Sequence, residues 1–169
     1  MLTWVALGLF AAALMLLLIH RRQRARGGLP RGELVYSDAA AQDVPVLISE
    51  RYGLKGKPDA LVRIPSGEII PVERKKSRAP KRPYEGDLIQ ATAYCALVEE
   101  NYGRTPPFMR IQHADGCFDE PYTAERKQWV LRTCEQVRQA RRRGTANRSH
   151  TMPAKCRGCG QRPNCDQAL

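Results

Sequence analysis

The sequence predicts an α/β domain, a small mixed sheet flanked by helices and preceded by one transmembrane helix. Three observations predict it. Short apolar runs punctuated by Pro, Ser and Gly read as strands and hairpins. Two longer stretches carry apolar residues at helical spacing. An uncharged apolar run opens the chain. Hairpins mixed with long helices indicate an α/β or α+β domain, and 169 residues allow one such domain with a real core.

Residues 2 to 19 contain no charge, and as a helix they would reach roughly 27 Å, near the hydrocarbon thickness. Arg21, Arg22, Arg24 and Arg26 follow, and positive charge beside a span keeps the rest of the chain in the cytoplasm. A cleaved leader would place basic residues before the apolar run and a small-residue site after it. A buried core helix is rarely apolar on every face. The expectation is a retained single-pass anchor in the cell membrane over residues 1 to 20. Residues 21 to 32 then form a basic linker, 33 to 150 the folded domain and 151 to 169 a cysteine-rich tail.

Leu34 to Tyr36 and Val44 to Ile48 are short candidate strands. Gly56 to Ile64 and Glu68 to Lys75 flank Pro65-Ser66-Gly67 and form a predicted hairpin. With the turn centred on Ser66-Gly67, antiparallel partners have numbers summing to about 132 or 133, which sets Asp59 within about one residue of Glu73. Glu73 and Lys75 are two apart on one strand and share a face. Two carboxylates on adjacent strands suit a hard cation, Mg²⁺ or Mn²⁺. Such an ion polarises a phosphodiester and activates water, while Lys75 supplies a fixed cation where negative charge develops. By spacing alone, Glu73 and Lys75 also read as an ordinary solvated charge pair.

Lys76, Arg78, Lys81 and Arg82 follow the hairpin with no acid among them, and directly after such a site they suit DNA phosphates. From Tyr84 to Tyr102 a helix is expected, with Leu88, Ala91, Cys95, Val98 and Tyr102 on its inner face and Gly103 as its stop. Gln90 and Tyr94, four apart, share a face. They suit either the catalytic edge or a core Tyr94 beside a solvated Gln90. Phe108 to His113 is a further strand, and Asp115-Gly116 turns the chain before Cys117 and Phe118. Thr123 caps a second helix to about Arg143, with Val130, Cys134 and Val137 facing inward.

A net charge of +11 and a pI near 9.8 point to a polyanionic partner, nucleic acid or an anionic membrane surface. Of the six cysteines, Cys95 and Cys134 read as small buried hydrophobes. Cys156, Cys159 and Cys165 lie among Gly and Pro in C-x2-C-x5-C spacing, where a loop can wrap an ion or a cluster. A 4Fe-4S cluster and zinc both normally take four ligands, and the tail supplies three.

Pro58-Asp59 with Glu73-Arg74-Lys75 resembles the PD-(D/E)XK nuclease superfamily, and Gln90-Ala91-Thr92-Ala93-Tyr94 resembles the QxxxY motif of its RecB-like branch. The closing cysteines resemble the C-terminal cluster of the CRISPR-associated exonucleases, the fourth Cas family. The resemblance spans about residues 33 to 169. It implies a restriction-endonuclease-like fold and DNA as substrate, with Asp59 and Glu73 as metal ligands and Lys75 as the catalytic lysine. Gln90 and Tyr94 would line the active site or touch DNA. It also implies a 4Fe-4S cluster on Cys156, Cys159 and Cys165, with zinc as the alternative, and CRISPR integration proteins as partners.

Two departures stand out. Many RecB-like nucleases place a histidine upstream of the aspartate, whereas the only one before Asp59 is His20, so the metal would rest on Asp59, Glu73 and the Arg74 carbonyl. The resembling exonucleases also draw a fourth cysteine from the amino-terminal side, where this chain has none; Cys117 and His150 are the substitutes. Three functional readings follow. The first is a membrane-anchored, metal-dependent DNA nuclease, an exonuclease on single strands or DNA ends, serving CRISPR adaptation or DNA repair. The second is an inactive or weak DNA-binding or tethering module, and the third a structural zinc protein.

Overall fold

The computed structural model describes Met15, residues 28–37 and residues 46–169. Its elements are β1 (Glu33–Ser37), β2 (Leu47–Ser49), β3 (Leu54–Gly56), β4 (Ala60–Arg63), β5 (Ile69–Arg74), α1 (Glu85–Tyr102), β6 (Phe108–Gln112), β7 (Cys117–Pro121), α2 (Ala124–Arg143) and α3 (Pro153–Arg157), followed by a 3-10 turn at Arg162–Asn164. The chain divides into two compact units, Met1–Val130 and Leu131–Leu169, and the boundary falls within α2.

In the first unit one sheet runs in the order β1-β4-β5-β6-β7, and β2 pairs with β3 apart from it. The pairings β1/β4, β4/β5 and β6/β7 are antiparallel, while β5/β6 is parallel. Parallel neighbours need a crossover, and α1 supplies it. The sheet is therefore mixed, as expected. The expected turn forms at Gly67, whose φ of 97° is a value side-chain-bearing residues rarely adopt. Its N–H donates to the Ile64 carbonyl at 2.8 Å. Strand β5 is buried along almost its whole length because it lies between β4 and β6. Pro71 sits one position before β6 pairing begins at Val72, so its missing N–H interrupts no β6 ladder.

The core has two parts on α1. Ala91 and Cys95 pack with Met109 and Ile111, while Leu97 and Val98 pack with Tyr36, Leu47, Leu61 and Ile69. Burial pushes the Cys95 thiol pKa up, as for a small core hydrophobe. The inner face is wider than periodicity predicts, since Thr92, Ala96 and Leu97 are also buried. The small β2/β3 sheet lies against α1, and Gly56 permits the approach. A Cβ there would stand 2.8 Å from the Tyr94 ring and 2.9 Å from the Leu97 side chain. Gly56→Ala is expected to cost about 1–3 kcal/mol through overpacking, read as a lower urea midpoint, and to displace Tyr94.

Gly103 ends α1, its N–H donating to the Glu99 carbonyl at 3.0 Å. Thr123 opens α2, its Oγ1 accepting from the Arg126 N–H at 3.3 Å. The two ends are joined by Glu99, which takes Lys127 Nζ at 2.7 Å and the Tyr122 hydroxyl at 3.0 Å. Burial alone would raise the Glu99 carboxyl, but these bonds and one from Thr105 hold it below its usual range. Leu29 packs on Ala60, Val62 and Val72, and Arg110 donates to the Gly28 carbonyl at 2.6 Å. Residues 28 and 29 thus lie against the sheet.

The expected membrane localisation is corrected. Among the described residues no helix is long and apolar enough to cross a membrane. Helix α1 carries Glu85, Asp87, Glu99 and Glu100, and α2 ends in Arg141, Arg142 and Arg143. Each charge at the centre of a bilayer costs about 2.5–3.5 kcal/mol on insertion scales. The run at 2 to 19 that prompted the expectation lies, Met15 aside, outside the described residues. The inner face expected for α2 is also corrected in part, because Val130 is buried whereas Val137 is exposed.

Candidate active site

The β4/β5 register puts Ala60 opposite Val72 and Arg63 opposite Ile69, a constant sum of 132, so Asp59 stands at the position facing Glu73. The aspartate is anchored there, since its Oδ2 accepts from the Arg74 N–H at 2.6 Å. Glu73 and Lys75 leave the end of β5 on one face, as the alternation of a strand requires. Lys75 extends the strand edge by donating its own N–H to the Gln112 carbonyl at 2.7 Å.

Side chains converge on the Lys75 ammonium. Glu73 Oε1 lies 3.0 Å away, Asp87 Oδ1 2.9 Å and Gln90 Oε1 3.2 Å. The amide nitrogen of Gln90 then donates to the Tyr94 hydroxyl at 3.0 Å. Gln90 is thus neither free in solvent nor remote from the hairpin, and Tyr94, half-buried, ends a polar chain that starts at the lysine. Asp87 was not singled out by the sequence. Its signal was there, because Asp87, Gln90 and Tyr94 are spaced by three and four and share one helix face.

Electrostatics follow from burial. Glu73 is only 7% exposed. Burial raises its carboxyl above the usual range against the opposing Lys75 bond, and the charges of Asp59 and Asp87 push the same way. Burial would lower the Lys75 ammonium, but bonds to Asp87 and Glu73 hold it above the ordinary lysine value. Burial also raises the Tyr94 phenol, reinforced by Glu73 and Asp59 and opposed by Gln90.

Two like-charged carboxylates, one of them buried, form an oxygen donor set that a hard divalent cation relieves, so Asp59 and Glu73 fit Mg²⁺ or Mn²⁺ by their chemistry. Among the described residues no three His, Cys, Asp or Glu side chains are gathered to hold a metal ion. A third oxygen must come from elsewhere, such as the Arg74 carbonyl or water.

Lys76, Arg78, Lys81 and Arg82 are all exposed. Arg78 is engaged, its Nε bonding Asp115 Oδ2 at 2.9 Å while Asp115 Oδ1 takes the Ala79 N–H at 2.7 Å. The backbone bond from Ala79 and the pairing with Arg78 lower the Asp115 carboxyl. The basic segment is therefore tied to the β6/β7 turn, a long-range contact that local sequence does not announce.

A family model described as the PD-(D/E)XK nuclease superfamily matches residues 4–166. The chain belongs to the PD-(D/E)XK nuclease superfamily. Membership implies metal-dependent nuclease chemistry in general, and the mixed sheet with its helices fits the restriction-endonuclease-like core of this superfamily. No curated protein sequence matches the chain. Among solved structures the crystal structure of SSO0001 is similar, with 18% identity and a TM-score of 0.49 over 75% of this chain. The chain spans 58% of that protein's length.

In this PD-(D/E)XK chain the tail forms part of the second unit. Cys156, Cys159, Cys165 and His150 line one cavity of about 200 Å³. His150 Nδ1 accepts from the Met152 N–H at 3.2 Å. Cys156 is buried and Cys159 exposed. The three thiols share a cavity but are not drawn together as a ligand set among the described residues. The expected 4Fe-4S cluster or zinc ion therefore finds its residues in one place without a preformed four-ligand site.

Proposed function

We propose that the chain is a divalent-metal-dependent DNA exonuclease of the RecB-like branch, similar to the CRISPR-associated exonucleases and acting on single strands or DNA ends. The observation that carries the reading is the Lys75 ammonium, held among Glu73, Asp87 and Gln90 beside the Asp59–Glu73 pair. Asp59, Glu73 and the Arg74 carbonyl hold Mg²⁺ or Mn²⁺. When bound, the ion polarises a phosphoryl oxygen of the substrate. Lys75 places a fixed cation where negative charge develops, with no reorganisation at the moment of reaction. Gln90 and Tyr94 set the position of that cation and face the DNA. Lys76, Lys81, Arg82 and the Asp115-held Arg78 take phosphates, which makes binding fall with salt.

The biological setting in this reading is CRISPR adaptation beside integration proteins, or DNA repair. The tail would carry the 4Fe-4S cluster or zinc on Cys156, Cys159 and Cys165, and no reaction step is assigned to it. A second reading, a DNA-binding module with little or no turnover, is favoured by the lack of a three-ligand metal group among the described residues. The test uses the full chain on linear and on covalently closed circular single-stranded DNA in Mg²⁺ and in Mn²⁺. An exonuclease degrades only the linear form. Cleavage of the circle as fast as the line overturns exonuclease action, and salt-sensitive binding without turnover selects the second reading.

A further inference from the structure

We infer that Asp87 is the positioning residue that keeps Lys75 in place when Glu73 is drawn to a divalent cation; the inference rests on the nuclease reading above. A lysine ammonium has three N–H donors and no acceptor, and here it meets three acceptors, Glu73 Oε1, Asp87 Oδ1 and Gln90 Oε1. One of the three has a second task. A metal ion on Glu73 draws charge from its carboxylate and weakens the bond from Oε1 to Lys75. Without Asp87 the lysine would then keep that weakened bond and the neutral Gln90 amide. Charge-assisted bonds are roughly twice as strong as neutral ones, so Asp87 is the partner able to hold the ammonium alone.

Its setting suits a fixed anchor. Asp87 lies in the first turn of α1, where the unpaired N–H groups of a helix start favour a carboxylate. Its own N–H and that of Leu88 both bond the Tyr84 carbonyl at 3.0 Å, which closes that turn. Its side chain is 17% exposed, less than that of Lys75 at 25%, so neither swings freely in solvent. A role as a third metal ligand does not fit. Among the described residues no three acidic, His or Cys side chains gather at one point, and the Asp87 oxygen faces the ammonium. Asp87 therefore acts through Lys75 and not on the phosphate.

The test is Asp87→Asn and Asp87→Glu in the full chain, labelled with ¹⁵N at lysine and read with and without Mg²⁺. The Lys75 ammonium resonance is assigned by its loss in Lys75→Ala. In the wild type a slowly exchanging, hydrogen-bonded Lys75 signal persists in Mg²⁺. Asp87→Asn loses it in Mg²⁺, and kcat on single-stranded DNA falls by about 10–100-fold, the scale for removing an outer-shell partner, with KM nearly unchanged. Asp87→Glu restores both in large part and serves as the readout if the asparagine variant does not fold. An Asp87→Asn protein that keeps the signal and the wild-type kcat overturns the inference while leaving the nuclease reading intact. An Asp87-dependent signal in a wild type that cuts no DNA does the reverse.

Discussion

Lys75→Ala is expected to lower metal-dependent cleavage of single-stranded DNA by about 10²–10³-fold, the range for removing one preorganised electrostatic contact to a transition state. The ammonium touches Glu73, Asp87 and Gln90 at once, so among the described residues its removal leaves no other cation bonded to those three groups. Binding should survive, because the exposed Lys76, Lys81 and Arg82 are untouched. Single-turnover cleavage and fluorescence anisotropy on the same oligonucleotide separate the two effects. A parallel loss of binding and cleavage would count against a role in the chemical step.

Glu73→Gln is expected to move activity and stability in opposite directions. Cleavage should fall by at least about 10²-fold, since in the proposed reading a carboxylate that would hold the metal ion is lost. In chelator, however, the variant should melt higher than the wild type near neutral pH, because it no longer buries an ionised carboxyl beside Asp59 and Asp87. The direction follows from linkage. Burial raises the folded Glu73 value above the unfolded one. Its favourable contribution is therefore complete below the unfolded value and is lost as pH rises through the folded value. Wild type and variant should thus converge in melting temperature on acidification. Added Mg²⁺ should raise the wild-type melting temperature alone, because a ligand stabilises only the state that binds it.

Local chemistry made part of this site legible. The turn at Ser66-Gly67 predicts a register sum of about 132 or 133, with Asp59 within about one residue of Glu73, and the β4/β5 ladder has the sum 132. The Gln90-to-Tyr94 spacing likewise announced a shared helix face, and their hydrogen bond realises it. The sequence did not single out Asp87, because only tertiary packing brings β5 to the start of α1. Leu97 and Thr92 lay off the apolar stripe and are buried, Leu97 because the β2/β3 sheet adds a second surface that periodicity does not encode, and Thr92 beside Met109 of β6. Asp115 holds Arg78 and Ala79 across more than thirty residues for the same reason. In the tail, spacing singles out three thiols and the structure puts them on one cavity, but spacing does not report whether they are drawn together, and among the described residues they are not.

In the proposed function Asp59 and Glu73, with Lys75 beside them, form a divalent-metal phosphodiesterase site. Its most direct measurement is the time course of single-stranded DNA cleavage by the full chain in Mg²⁺, run beside Asp59→Asn and beside wild type in chelator. Cleavage by the wild type is expected, abolished by chelator and lowered by at least about 10²-fold in Asp59→Asn. Equal cleavage by Asp59→Asn, or no wild-type turnover in either Mg²⁺ or Mn²⁺, would contradict it.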